Sequence, residues 1–479
     1  MKIQNYINGK FTLPVNNRWI DNYNPSKAEV YGQIPDSTAE DVNLAVWAAQ
    51  KAFPSWSNTT LEQRSAILFK IAQGIEDKLM FLAKAEVKDN GKPLSLAVKI
   101  DLPRAVTNFR FFASALTQFS SEAHESTGLN AINFTLRQPI GVAACISPWN
   151  LPLYLFTWKI APALAAGNCV IAKPSEISPV TAYLLAKICH KAGLPKGVLN
   201  IIHGRGATAG QAIVAHPKIK AISFTGGTAT GIQIAKTAAP MFKKLSLELG
   251  GKNPNIIFAD CNYKKMLHTT LFSSFTNQGQ LCLCGSRIFV EEIIYEQFKS
   301  DFIKKVSELK VGNPFDQGTN LGALVSETHL KKVQSHIDLA HAEGGKILYG
   351  GNKLVVKNCE KGYFLQPTII EVSNNNCQLN QEEVFGPVVS LMPFKQEDEV
   401  LQMANAVKFG LSASLWTQDI NRSLRMSKQL EVGIVWVNTW LFRDLRTPFG
   451  GVKKSGLGRE GGFEALRFFT EAKNICIKY

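Results

Sequence analysis

Cysteine is sparse: nine residues are scattered over 479. That is too few for a disulfide framework and points to a reducing, cytoplasmic setting. The N-terminus, MKIQNYINGKFTLP, has no apolar signal core. A membrane span needs about twenty mostly apolar residues. The longest uncharged stretch, between Arg137 and Lys159, is interrupted by Pro139, Pro148, Asn150 and Pro152, so no membrane partner is expected. There is no basic block interleaved with aromatics. The net charge of +15 is carried by dispersed doublets such as Lys243-Lys244 and Lys453-Lys454, and nucleic acid is not an expected partner. The positive excess reads as a solvated surface, or as a field steering an anionic substrate. Internal repeats and low-complexity segments are also missing.

What is present is a chain of 45% hydrophobic and 19% charged residues, ordinary for a large globular protein of two or three domains. Leu68, Ile71, Ile75, Leu79 and Leu82 recur at steps of three and four, which predicts one helix over 61–90, ended by Asn90-Gly91-Lys92-Pro93. From 140 onward short apolar runs (Ile140–Ile146, Asn168–Ala172, Val198–His203, Ile219–Phe224, Leu245–Leu249) alternate with helical stretches such as Thr181–Ala192 and Gly231–Ala239. This alternation predicts an α/β fold with a doubly wound parallel sheet. A second alternating set follows a boundary near Gly250-Gly251 and includes Ile256–Phe258, Arg287–Val290 and a helix around Ile294–Leu309. Residues 120–138 and the C-terminal end read as edge strands in need of a partner.

The stretch FTNQGQLCLCGSR, residues 275–287, holds Cys282 and Cys284 one residue apart. No further Cys or His at zinc spacing follows, so no metal is expected. The pair is not Cys-x-x-Cys, so a redox clip is not expected either. One reactive thiol is the functional reading; two buried small apolar residues is the ordinary one. The flanking Asn277, Gln278, Gly279 and Gln280 weigh against the latter. Glu248 lies inside an apolar run, where desolvation raises a carboxylate toward general-base duty. Phe224-Thr225-Gly226-Gly227 through Gly231 follows a strand and opens a helix, which suits a phosphate at a helix N-terminus. Gly204, Gly206 and Gly210 form a comparable loop, and at most one of the two is expected to hold phosphate. Lys173, Ser175 and Glu176 end another strand, where a lysine and a carboxylate can bind ribose hydroxyls and the carboxylate favours NAD over NADP. Trp149 and Asn150 end a third, where an amide can donate to an oxyanion.

Taken together, PWN at 148–150, KPSE at 173–176, FTG…G at 224–231, LELGGK at 247–252, GQLC at 279–282, EEVFGPV at 382–388 and PFGGVKKSGLGRE at 448–460 resemble the aldehyde dehydrogenase superfamily. The resemblance implies a Rossmann-like NAD-binding domain (1–119 and 139–250), an α/β catalytic domain (251–450) and a small β oligomerisation element (120–138 and 466–479), assembled as a homodimer or homotetramer. It implies that Cys282 is the nucleophile and Cys284 a bystander. Asn150 and the Cys282 backbone N–H would hold the oxyanion of a thiohemiacetal, hydride loss to nicotinamide would give a thioester, and Glu248 would activate the hydrolytic water. Cofactor contacts would come from Trp149, Lys173, Ser175, Glu176, Phe224, Thr225, Gly226, Gly227, Gly231, Leu249, Glu383 and Phe385. Gly227 replaces a serine that many relatives carry, which removes one hydrogen bond to pyrophosphate.

Two arginines, Arg443 and Arg446, fall where the family places its substrate-mouth loop, and Arg104 and Arg110 lie on a helix lining the tunnel. Guanidinium groups pair with carboxylates through two parallel hydrogen bonds. The set resembles the 2-hydroxymuconic and 2-aminomuconic semialdehyde dehydrogenase branch and implies an anionic semialdehyde. Ion pairing with Asp444 or Asp101 is the structural reading of the same arginines. Succinic semialdehyde and betaine aldehyde are the same-class alternatives, and a cofactor-independent cysteine hydrolase or acyltransferase is the alternative from another class.

Overall fold

A computed structural model describes residues 1–479. The apolar runs after 140 become five parallel strands, Val142–Ile146, Cys169–Lys173, Leu199–Ile201, Ile219–Thr225 and Lys244–Glu248. Helices cover them on both faces, so the strands are nearly continuous in apolar residues rather than alternating. Their order across the sheet places Val142–Ile146 at the centre, with Cys169–Lys173 and Leu199–Ile201 to one side and Ile219–Thr225 and Lys244–Glu248 to the other. The chain therefore reverses direction of build beside Val142–Ile146, and ligands of such sheets bind at the carboxyl ends of the strands flanking that point. Antiparallel edges are added by Asn5–Ile7 and Lys10–Thr12 at one side and by Gly456–Leu457 at the other. That last strand lies in 451–465, which the sequence division leaves unassigned.

Gly250 and Gly251 connect Lys244–Glu248 to Pro254–Ile257, a strand of a second, seven-stranded sheet that also holds Arg287–Glu291 and Val388–Phe394. The two sheets have separate cores. The third sheet pairs Thr470–Lys478 with Ala131–Pro139 in antiparallel register, Thr470 opposite Pro139 and Lys478 opposite Ala131, with Ala123–Ser126 beyond. The two expected edge strands thus partner each other. One face of this sheet carries Ile132, Phe134, Leu136, Ile475 and Ile477, of which Ile132, Leu136 and Ile477 are exposed.

The single helix expected over 61–90 is two. Leu61–Glu76 starts on a reciprocal cap between Thr60 and Gln63, and Leu79–Asn90 ends at Gly91 in the left-handed region, φ 85°. The break at Asp77-Lys78 leaves the apolar periodicity intact because both helices bury the same face: Leu68, Ile71, Ile75 and Leu82 are all inaccessible. No helix is long and apolar enough to cross a membrane.

Candidate active site

Cys282 follows a strained turn. Asn277, Gln278 and Gly279 all have positive φ, 54°, 56° and 68°. A Cβ on Gly279 would stand 2.0 Å from the Gly386 carbonyl oxygen, so only glycine lets this turn pack against 386. Asn253 Nδ2 donates to the carbonyls of Cys282 and Cys284 at 2.7 and 2.9 Å, fixing the backbone on both sides of the sulfur. A Cβ at Gly251 would lie 2.8 Å from the Cys282 carbonyl oxygen. Of the LELGGK glycines, Gly251 is therefore required by close approach to the cysteine loop, and Gly250 by close approach of the Glu383 carboxylate.

Two cavities meet at Cys282. One is lined by Cys282, Glu248, Thr225, Tyr154, Arg443 and Glu460 among others. The other, on the opposite side, is lined by Cys282, Gly251, Glu383, Val384 and Phe385. Burial and the carboxylates of Glu383 and Glu248 push the Cys282 thiol up to about 12, against a smaller opposing pull from Arg443. The resting sulfur is a thiol and needs a base. Glu248 is buried, its Oε1 has no hydrogen-bond partner, and burial and the nearby Glu460 carboxylate hold it well above the usual carboxylate range. Asn150 Nδ2 donates to the Gln280 carbonyl at 2.9 Å; an amide carries two N–H groups, and the second has no acceptor within the protein.

Trp149, Lys173, Ser175, Glu176, Phe224 to Gly227 and Leu249 lie at or just after the carboxyl ends of strands of the first sheet, whereas Glu383 and Phe385 precede the strand Val388–Phe394 of the second. Lys173 Nζ pairs with Glu176 Oε2 at 3.2 Å, and Glu176 Oε1 accepts from Gly206 N at 3.1 Å. The two glycine loops are not equivalent, since Gly227 caps the eleven-residue helix Thr228–Ala238, whereas Gly206 opens a short π turn and the five-residue helix Gln211–Ala215. A Cβ on Gly227 would meet nothing within 4 Å, while one on Gly231 would stand 2.5 Å from Leu249 Cδ2 and one on Gly226 2.4 Å from the Phe224 ring. Open space before the helix N-terminus at Gly227 suits a phosphate, and the Lys173–Glu176 pair, held by the Gly206 loop, suits ribose hydroxyls. Ser175 Oγ accepts from Ile177 N at 3.2 Å within its own turn, and Thr225 lines the Glu248 cavity with Oγ1 unpartnered. Trp149 packs edge-on against Phe385, ring centroids 5.3 Å apart. Glu383 Oε1 accepts from Gly251 N at 3.0 Å.

The arginines divide. Arg443 lines the Cys282 cavity, donates to Tyr154 Oη at 3.0 Å and lies 3.9 Å from the Phe449 ring centroid. Arg104 and Lys99 join it around the outer opening. Neither Arg104 nor Arg443 has a carboxylate partner among the ion pairs of the molecule. Arg110 instead pairs with Glu76 at 2.5 Å, and Arg446 with Asp444 at 2.6 Å, both exposed and away from the cavity. Neither Arg110 nor Arg446 lines the Cys282 cavity or the opening beside it. Asp101, offered as an arginine partner, binds Lys92.

Residues 12–475 match the model of the aldehyde dehydrogenase family. The chain belongs to the aldehyde dehydrogenase family. It is 49% identical to 2-aminomuconic semialdehyde dehydrogenase of Mus musculus, over 100% of this chain and 99% of that protein. It is 42% identical to 2-hydroxymuconic semialdehyde dehydrogenase of Pseudomonas sp. (strain CF600), with 100% and 99% covered. An NAD+ complex of aldehyde dehydrogenase from Bacillus cereus superposes with a TM-score of 0.97 at 36% identity, covering 100% of this chain and 97% of that one. Within this family member, sequence reasoning passed over Lys159, Ser223 and Glu460. Lys159 Nζ reaches Glu460 Oε1 at 2.6 Å and Ser223 Oγ at 3.1 Å, beside Glu248. A signal was available: Lys159 is a lone charge in the apolar helix Pro152–Ala165.

Proposed function

We propose that this protein oxidises an anionic semialdehyde of the 2-aminomuconic or 2-hydroxymuconic type to its carboxylate, with NAD as the hydride acceptor. The observation that carries the substrate class is the pair of guanidinium groups, Arg104 and Arg443, left without carboxylates at the opening that leads to Cys282. A cationic betaine aldehyde would be repelled there, and a cofactor-independent hydrolase would leave the Gly227 cradle and the Lys173–Glu176 pair without a task.

In this reading Cys282 loses its proton as it attacks the aldehyde carbon, and Glu248 is the only unpartnered carboxylate lining the same cavity. The oxyanion is held by the free N–H of Asn150 and the Cys282 backbone N–H; preorganised donors of this kind need no rearrangement as charge develops. NAD, when bound, supplies the hydride acceptor that turns the thiohemiacetal into a thioester. Glu248 then takes a proton from the water that hydrolyses it, with Lys159 and Glu460 adjacent. Glu383, Lys173 and Glu176 bind ribose hydroxyls. Residues 1–119 and 139–250 serve as the nucleotide domain and 251–450 as the catalytic domain. The apolar face of the third sheet, 120–138 with 466–479, is covered by a second copy in a homodimer or homotetramer.

The test is NADH formation across short aldehydes, acidic and neutral, with ring-cleavage semialdehydes generated in situ. Arg443→Leu is expected to raise KM for the acidic substrates about tenfold to a hundredfold, the weight of one charge-assisted pair, and to leave neutral aldehydes unchanged. Equal turnover of neutral aldehydes, with a silent Arg443→Leu, would exclude the anionic substrate class.

A further inference from the structure

The loop that carries Asn150, between the strand ending at Ile146 and the helix starting at Pro152, has no regular structure of its own. It is held from behind by the C-terminal end of the helix Leu79–Asn90 and the residues just after it. Asn90 Nδ2 donates to the Trp149 carbonyl at 2.8 Å, Lys92 Nζ donates to the Asn150 carbonyl at 3.0 Å, and Leu153 N donates to Glu86 Oε2 at 3.1 Å. Lys92 Nζ is also bound by Glu86 Oε1 at 3.3 Å and by Asp101, and all three side chains have no solvent exposure. Asp101 reaches the wall of the Cys282 cavity. From the front, Asn277 Nδ2 donates to the Asn150 carbonyl at 3.0 Å, and Asn150 itself donates to Gln280.

Three buried ionisable side chains are an expensive way to hold a loop, because well-packed apolar residues of the same volume are often as stable or more so. A lysine contributes what they cannot, a directed donor to one carbonyl. We propose that Lys92, held between Glu86 and Asp101, is a positioning residue that sets the Asn150 peptide so that its free side-chain N–H meets the oxyanion. This rests on the reading of Asn150 as an oxyanion donor.

The test is a double-mutant cycle between Lys92→Met and Asn150→Ala in the full-length enzyme. It is read by NADH formation, by hydrolysis of p-nitrophenyl acetate, and by alkylation of Cys282 with iodoacetamide. The first two develop an oxyanion and the third does not. Lys92→Met is expected to lower kcat in the first two about tenfold to a hundredfold, in line with the loss of an outer support or of an oxyanion donor. KM and the alkylation rate should hold. In the Asn150→Ala background the same change should cost less than about twofold, since residues acting through one another are non-additive. Should Lys92→Met fail to fold with two carboxylates left buried, Glu86→Gln/Lys92→Met/Asp101→Asn removes the charges together and enters the same cycle. Equal losses in both backgrounds, or alkylation slowed as much as turnover, would overturn the inference and leave a purely structural cluster. A fully active Asn150→Ala would instead overturn the oxyanion reading on which it stands.

Discussion

Burial and neighbouring carboxylates raise both the Cys282 thiol and the Glu248 carboxyl above their ordinary values. The base works only as carboxylate, so kcat is expected to fall as pH drops through the raised Glu248 pKa and to level off above it. Glu248→Gln should remove that acid limb and lower the plateau about a hundredfold to ten-thousandfold, the usual range for a lost general base; a pH profile of NADH formation checks both. Cys282→Ser should lower turnover at least about a thousandfold, because serine lacks the acidity and nucleophilicity of the thiol, and no acyl adduct should form on that peptide. Arg110→Ala and Arg446→Ala are expected to stay within about twofold of the parent in KM, since exposed ion pairs carry little energy. The sequence placed Arg104 and Arg110 on one helix correctly. Six residues at about 100° each put them roughly 120° apart around the axis, so they do not face one cavity. Arg446 instead takes the ion pair with Asp444 that the sequence offers as its structural role.

The turn 276–280 governs where the sulfur stands. Gly279→Ala puts a methyl against the Gly386 carbonyl in a backbone region that disfavours side chains. It is expected to destabilise the protein by about 2 kcal/mol or more and to lower kcat in step, seen by urea unfolding and turnover together. At the end of the strand Leu199–Ile201, His203 is buried with neither ring nitrogen bonded, and burial with the Lys173 ammonium pulls it from the ordinary 6.5 down to about 3. The unfolded chain binds that proton first. Stability should therefore fall as pH drops from 6.5 toward 3, by at most about 1.4 kcal/mol per pH unit for this one group, and His203→Leu should flatten that dependence in urea midpoints. Strands such as Ile219–Thr225 were legible to within a residue or two because burial on both faces writes an unbroken apolar run. The break at Asp77-Lys78 was not, since the apolar face runs straight through it. The Lys92 cluster was hidden for a related reason: Lys92 closes the helix-ending Asn90-Gly91-Lys92-Pro93, and nothing in its local sequence says that Glu86, Asp101 and Asn150 converge on it.

At the scale of the molecule, the third sheet ends in an unpaired edge, Thr470–Lys478, beside an apolar face. If a second copy covers this face as proposed, removing residues 470–479 is expected to yield a smaller species by light scattering, and to leave the Ile132 and Leu136 face prone to aggregation. The overall charge of +15 and the two unpaired guanidiniums at the cavity opening act together on an anionic ligand. The product carries one more negative charge than the substrate, so whatever draws the aldehyde in grips the acid harder on its way out. Raising ionic strength should therefore slow capture from dilute substrate while quickening the departure of the acid.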